Sequence, residues 1–323
     1  TGDLDLIKYG NYDWSTQGKG TKPVMLKDTQ FTVTSKTTGK VVRTSLTDTQ
    51  GYVKFTDLPY DTYTVTETKT PTGYNGIKPF TVVVDGTQKS QHYTIENKVI
   101  EEKPRVVKVD TETGKTGLRA GAIFRIKNLQ TNKYEVQPTA CKTGTTDKLA
   151  TDNSGELITS EALGYGKYQL EEVQAPEGYV LAKEPAKLTI DGSHKDGIVV
   201  IKFVDLSQKG VATLTKTGAT PVAVEKVETE YGDQYKFKYD YTALAGAEFE
   251  FRAAEDITTA DGTTRAHKGD VVATGTTDAQ GQIQTPELYL GKYTATEISA
   301  PTGFIMNPDP IAFDLKYAGQ AVR

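Results

Sequence analysis

Short stretches of this chain alternate apolar and polar residues: Leu4-Asp5-Leu6, Phe31-Thr32-Val33, Tyr63-Thr64-Val65, Phe124-Arg125-Ile126, Tyr168-Gln169-Leu170, Phe249-Glu250-Phe251 and Tyr293-Thr294-Ala295. Residues two apart share a strand face, so this spacing predicts short strands with one buried face. Gly, Pro and Asp separate them. Thr47-Asp48-x-x-Gly51, Thr151-Asp152-x-x-Gly155 and Thr277-Asp278-x-x-Gly281 read as β-turns whose carboxylate holds nearby N–H groups. The pattern occurs three times. Tyr63, Glu67, Pro71, Gly73 and Tyr74 have counterparts at identical offsets in Tyr168, Glu172, Pro176, Gly178 and Tyr179, and in Tyr293, Glu297, Pro301, Gly303 and Phe304. The expected fold class is all-β: tandem β-sandwiches of roughly 100 residues each. They should span 1–100, 101–207 and 208–323. The composition shifts at Ile100-Glu-Glu-Lys-Pro104 and Leu206-Ser-Gln-Lys-Gly210 predict short linkers and a rod of units strung end to end.

Strand parity puts charge on the wrong face. Glu67, Glu172 and Glu297 each end the inward row begun by Tyr63, Tyr168 and Tyr293. In the first strand of each unit Lys8 follows Leu4 and Leu6, Lys108 follows Val106, and Lys216 follows Ala212 and Leu214. In the last strand of units one and two, Asn97 follows Tyr93 and Ile95, and Asp205 follows Val199, Ile201 and Phe203. Buried charge is costly unless partnered or neutralised. One reading is a structural hydrogen-bonded network. The other is chemical: a desolvated, neutral lysine is a nucleophile, an adjacent carboxamide or carboxylic acid is an electrophile, and a protonated Glu can move the protons. The product would be an amide joining first and last strands.

Composition sharpens the choice. The single cysteine, Cys141, excludes an internal disulfide in a chain whose hydrophobic share is only 36%. Small-cored β-proteins outside the cell usually need staples, and an amide needs no oxidant. A net charge of −4 argues against a nucleic-acid partner, and no apolar run is long enough for membrane insertion. The start at Thr1-Gly2-Asp3, without initiator Met or signal peptide, is what an excised piece of a longer product would show. No cofactor or metal is expected. Asp152-Asn-Ser-Gly-Glu156 only partly matches a calcium loop, the three His are scattered, and Cys141 lacks a His partner motif and reads as a bystander thiol.

The early Lys, the Tyr-x-Val-x-Glu-x-x-x-Pro-x-Gly-Tyr stretch, the closing Ile95-Glu-Asn97-Lys and the Val107-Lys108-Val-Asp-x-Glu-Thr-Gly114 opening resemble the CnaB-type domains of Gram-positive surface proteins and SpaA-like pilins. The resemblance implies reversed-immunoglobulin sandwiches with self-formed isopeptide bonds, Lys8–Asn97 assisted by Glu67 and Lys108–Asp205 assisted by Glu172. Unit three has Lys216 and Glu297 in place but no acceptor at matching spacing, so its last strand should be missing; the alternative is that Asp314 is recruited. The segment between Lys216 and Phe249 is expected to be an exposed hairpin.

The implied function is structural: a pilin subunit or adhesin stalk, extracellular and cell-wall-anchored through a region outside this sequence, which itself contains no Leu-Pro-x-Thr-Gly signal. Its partners would be other domains or subunits of the same surface protein or pilus. The runner-up is an adhesive module that itself binds a host matrix protein or glycan. An external-substrate enzyme ranks last, since the only reactive groups would consume themselves in one turnover.

Overall fold

A computed structural model describes residues 1–16, 18–116, 120–139 and 143–320. Cys141 and its possible roles lie outside the described residues. Every regular element among those residues is a strand, and no helix is long and apolar enough to cross a membrane. All strand pairings fall within residues 2–99, 101–207 or 209–315.

Units one and two repeat one architecture of two facing sheets. In unit one, Gly2–Gly10 pairs antiparallel with Tyr52–Leu58 and Val24–Met25, and parallel with the last strand, Ser90–Asn97. The second sheet runs Val41–Leu46, Gln30–Ser35, Asp61–Lys69, Phe80–Val84. In unit two the first strand, Glu101–Asp110, lies parallel to the last, Ile198–Ser207, over a sheet containing Ile123–Asn128, Gly166–Gln174 and Ala186–Ile190. Alternate residues fill the space between sheets. Leu4, Leu6, Phe31, Val33, Val65 and Val82 form the first core, and Val106, Phe124, Ile126, Leu170, Leu188 and Phe203 the second. Burying each such side chain contributes about 1.5–3 kcal/mol, which offsets the ordering of so many short strands.

Unit three departs from this plan. One sheet is complete: Val271–Thr276, Glu248–Ala253, Gly291–Ser299, Ile311–Leu315. Opposite it, among the described residues, stand only Thr213–Thr215, paired with Gln282–Gln284, and Lys209–Gly210, paired with Leu288–Tyr289. Among the described residues the first strand has no parallel partner. The consequence shows on the penultimate strand. Val82 and Val84 in unit one and Leu188 and Ile190 in unit two are buried, whereas Phe313 and Leu315 are only half-buried. Asp314 points away from the core and pairs with Lys316 at 3.6 Å, so the structure does not bring it to Lys216. The inserted segment is the expected hairpin, Thr217–Thr229 with Gly232–Ala243.

The two stretches read as linkers are not coil. Glu101–Pro104 opens the first strand of unit two, while Leu206 and Ser207 end its last strand and Lys209–Gly210 begins the pairing of unit three. Polar contacts join successive units. Tyr12 donates to Glu101 at 3.0 Å, and Trp14 packs edge-on against Tyr165. Glu112 receives Lys209 at 2.7 Å and Tyr289 at 2.5 Å, and Thr113 donates to Asp261 at 2.8 Å.

Candidate functional site

The motif side chains converge in the core of each unit. Parallel register sets Lys8 opposite Ile95 and Gly10 opposite Asn97, so Asn97 sits one same-face step beyond Lys8. Unit two has the same offset, with Lys108 opposite Phe203 and Asp110 opposite Asp205. The motif Glu comes from the facing sheet. In unit one, Lys8 Nζ donates to Asn97 Oδ1 and lies 3.1 Å from Glu67 Oε2, while Asn97 Nδ2 donates to Glu67 Oε1 at 2.7 Å. In unit two, Lys108 Nζ bonds Glu172 Oε1 at 2.5 Å and also contacts Asp205 Oδ1. The Lys and Glu side chains of both trios are wholly buried.

Aromatic rings wall the lysines: Phe31 at 5.7 Å from Lys8 Nζ, Phe124 and Phe203 at 5.1 and 4.5 Å from Lys108 Nζ. Burial lowers the Lys8 pKa, partly opposed by Glu67. Unit two buries one lysine with two carboxyls, so full ionisation would leave a net negative charge in a low dielectric. Burial accordingly pushes Asp205 up to about 7; Lys108 opposes the shift and Glu172 reinforces it. Asp205 Oδ2 is buried with no hydrogen-bond partner.

Unit three brings Lys216 and Glu297 together at 2.7 Å, and among the described residues no third side chain joins them. Lys216 is 20% exposed along its side chain, and Glu297 Oε1 is buried without a partner. Its counterpart in unit one, Glu67 Oε1, is the oxygen that Asn97 occupies.

Three recurrent positioning devices were not read from sequence. The backbone N–H ten residues after each motif Glu donates to its carboxylate: Ile77 at 3.3 Å, Ala182 at 3.0 Å and Asn307 at 2.9 Å. The Pro-x-Gly-aromatic segment makes this possible. Tyr74, Tyr179 and Phe304 N–H bond back to Pro71, Pro176 and Pro301, with Gly73, Gly178 and Gly303 at positive φ as a type II turn requires. The Thr-Asp-x-x-Gly turn seats the lysine. Gly51, Gly155 and Gly281 carbonyls accept from Lys8, Lys108 and Lys216 N–H, and a Cβ on Gly51 would lie 2.2 Å from Lys8 O. Finally, the motif Tyr hydroxyls donate four residues back, to Pro59, Gly164 and Tyr289. The repeated Tyr and Pro-x-Gly were the available signals; the backbone partners have none.

Tandem β-sandwiches, two of them with a Lys, a Glu and an amide or acid in contact in the core, define the class of domain to which the chain belongs. The chain belongs to the SpaA family of prealbumin-like fold domains, whose model matches residues 16–99, 103–205 and 234–323. Among solved structures, the TIE protein of Bacillus anthracis is similar over 98% of this chain at 25% identity, with a TM-score of 0.58. The match covers 48% of that protein, so this chain spans about half its length. Weaker likenesses are to the BcpA major pilin subunit of Bacillus cereus (14% identity, 97% of this chain and 95% of that one, TM-score 0.40) and the GBS52 minor pilin of Streptococcus agalactiae (16%, 64% and 97%, TM-score 0.31). At those TM-scores they carry no argument. No curated protein matches the sequence.

Proposed function

We propose that this chain is a structural segment of a Gram-positive surface protein or pilus, displayed outside the cell, in which units one and two cross-link themselves through Lys8–Asn97 and Lys108–Asp205 amides. The observation that carries the reading is the pair of buried trios, in each of which the lysine amine touches both the motif Glu and the side-chain oxygen of Asn97 or Asp205. Membership in the SpaA domain family and the likeness to the TIE protein support it.

The chemistry balances within the chain. Desolvation favours transfer of the Lys8 proton to Glu67, leaving a neutral amine and a carboxylic acid. The amine attacks Asn97 Cγ, and Glu67 donates its proton to Nδ2, the atom already bonded to it. The C–Nδ2 bond breaks, ammonia leaves, and the nitrogen of the new amide returns a proton to Glu67. In unit two the protonated Asp205 carboxyl is the electrophile and water departs. Each site reacts once and is consumed.

Intact-mass spectrometry tests this. The expected mass is that of the sequence less one ammonia and one water. Glu67→Ala should restore only the ammonia and Glu172→Ala only the water. A mass equal to that of the plain sequence would overturn the proposal.

A further inference from the structure

The hairpin of unit three has an apolar face that none of the described residues of the chain covers. Among the described residues its strands, Thr217–Thr229 and Gly232–Ala243, pair only with each other and extend roughly 40 Å at about 3.4 Å per residue. Tyr235, Phe237, Tyr239 and Tyr241 occupy alternate positions and therefore one face, with the Phe237 and Tyr239 rings 6.4 Å apart. Register sets them opposite Lys226, Val224, Pro221 and Ala219. The other face is polar, with Glu225, Lys236, Lys238 and Asp240 on it. The four rings are 53–70% exposed. An isolated two-stranded ribbon is marginal in water, and an exposed aromatic row of this size marks a contact surface.

We propose that this face docks on the same face of a second copy of the chain. Two features favour self-association. The face is built as a bulky column of aromatics beside a column of smaller residues. A two-fold axis along the ribbon lays the aromatic column of each copy over the small column of the other, a self-complementary arrangement. Its area also suffices: rings of 150–250 Å² at this exposure present roughly 500 Å² per copy, so the pair hides roughly 1,000 Å², where specific interfaces begin. Charge is confined to the tip, where Lys226 pairs with Asp233 at 2.8 Å and Glu228 at 3.6 Å, leaving a neutral centre with a polar rim.

Sedimentation equilibrium of the whole chain tests the proposal. A concentration-dependent dimer is expected. Phe237→Glu combined with Tyr239→Glu should abolish it while leaving the melting of all three units unchanged, since neither ring packs on a core. Lys236→Glu with Lys238→Glu, on the opposite face, should leave the dimer intact. A monomer at several hundred micromolar overturns the proposal, as would a dimer that survives the double aromatic substitution, which would place association elsewhere, such as the open edge beside Thr213–Thr215. Saturable binding of a peptide or glycan to the aromatic face of a strictly monomeric chain would overturn it as well.

Discussion

A fully buried lysine survives in units one and two because its amine is flanked by aromatic rings and contacts two side-chain oxygens. Removing one partner of such a buried pair typically costs about 3–5 kcal/mol. The two trios differ in one atom, and that difference predicts a pH response. Asn97 does not titrate, whereas Asp205 is raised from its ordinary 3.8 to about 7 by burial. A carboxyl raised on folding stabilises the fold below its unfolded pKa and loses that contribution as pH rises through the folded value. In Lys108→Met, which cannot form the amide and removes the group that opposes the shift while keeping Glu172, unit two should therefore melt lower as pH rises from about 4 to 7. Adding Asp205→Asn should flatten that dependence, measured by thermal unfolding; equal slopes in the two variants would count against a protonated Asp205. The inward placement of these residues was legible because strand parity is a rigid rule. The donors from Ile77, Ala182 and Asn307 were not, since a backbone N–H leaves no trace in residue type.

At the level of elements, the turns and the strands they join were readable, and the passages between units were not. Glu101–Pro104 looks like linker because of its charges and its proline. In the structure Glu102 and Pro104 face inward, and the Glu102 carboxylate is satisfied by the N–H groups of Asp191, Gly192 and His194. A loop distant in sequence thus makes a polar strand affordable, which no local pattern reveals. The Thr-Asp-x-x-Gly turns go the other way: recognised as turns, they prove to be seats for Lys8, Lys108 and Lys216. Gly51 has φ of 67° and no room for a Cβ against Lys8 O. Gly51→Ala should displace the first strand, destabilise unit one by about 1–3 kcal/mol, and leave a fraction of molecules retaining the ammonia of unit one while unit two still loses its water. Mass spectrometry and melting read both effects, and complete reaction in that variant would show that the seat is dispensable.

For the whole molecule, the threefold repeat made the β-sandwich fold legible, since each unit repeats the same turn and strand signals. The shortfall of unit three was visible as a spacing deficit, and its physical form is the half-buried Phe313 and Leu315 and the unpartnered Glu297 Oε1. Under the proposed cross-links, units one and two gain roughly 4–5 kcal/mol each by closing loops of 89 and 97 residues. Among the described residues unit three has only its Lys216–Glu297 pair in their place. Calorimetry should resolve a first transition belonging to unit three, at least about 15 °C below the others, since each kcal/mol moves a domain of this size by about 4–8 °C. Coincident melting of all three would contradict both the cross-links and the open sheet.

The parallel pairing of first and last strands has a further consequence. Lys8 and Asn97 lie at the same end of neighbouring strands, and Lys108 and Asp205 likewise. A pull on the chain ends would enter along the first strand, cross the proposed amide and leave at once through the last strand. The 89 and 97 residues between would then be spliced out of the tether. At about 3.4 Å per residue, roughly 300 Å of contour per unit would never be released, so under load units one and two would act as inextensible links and unit three alone as the chain's reserve of slack.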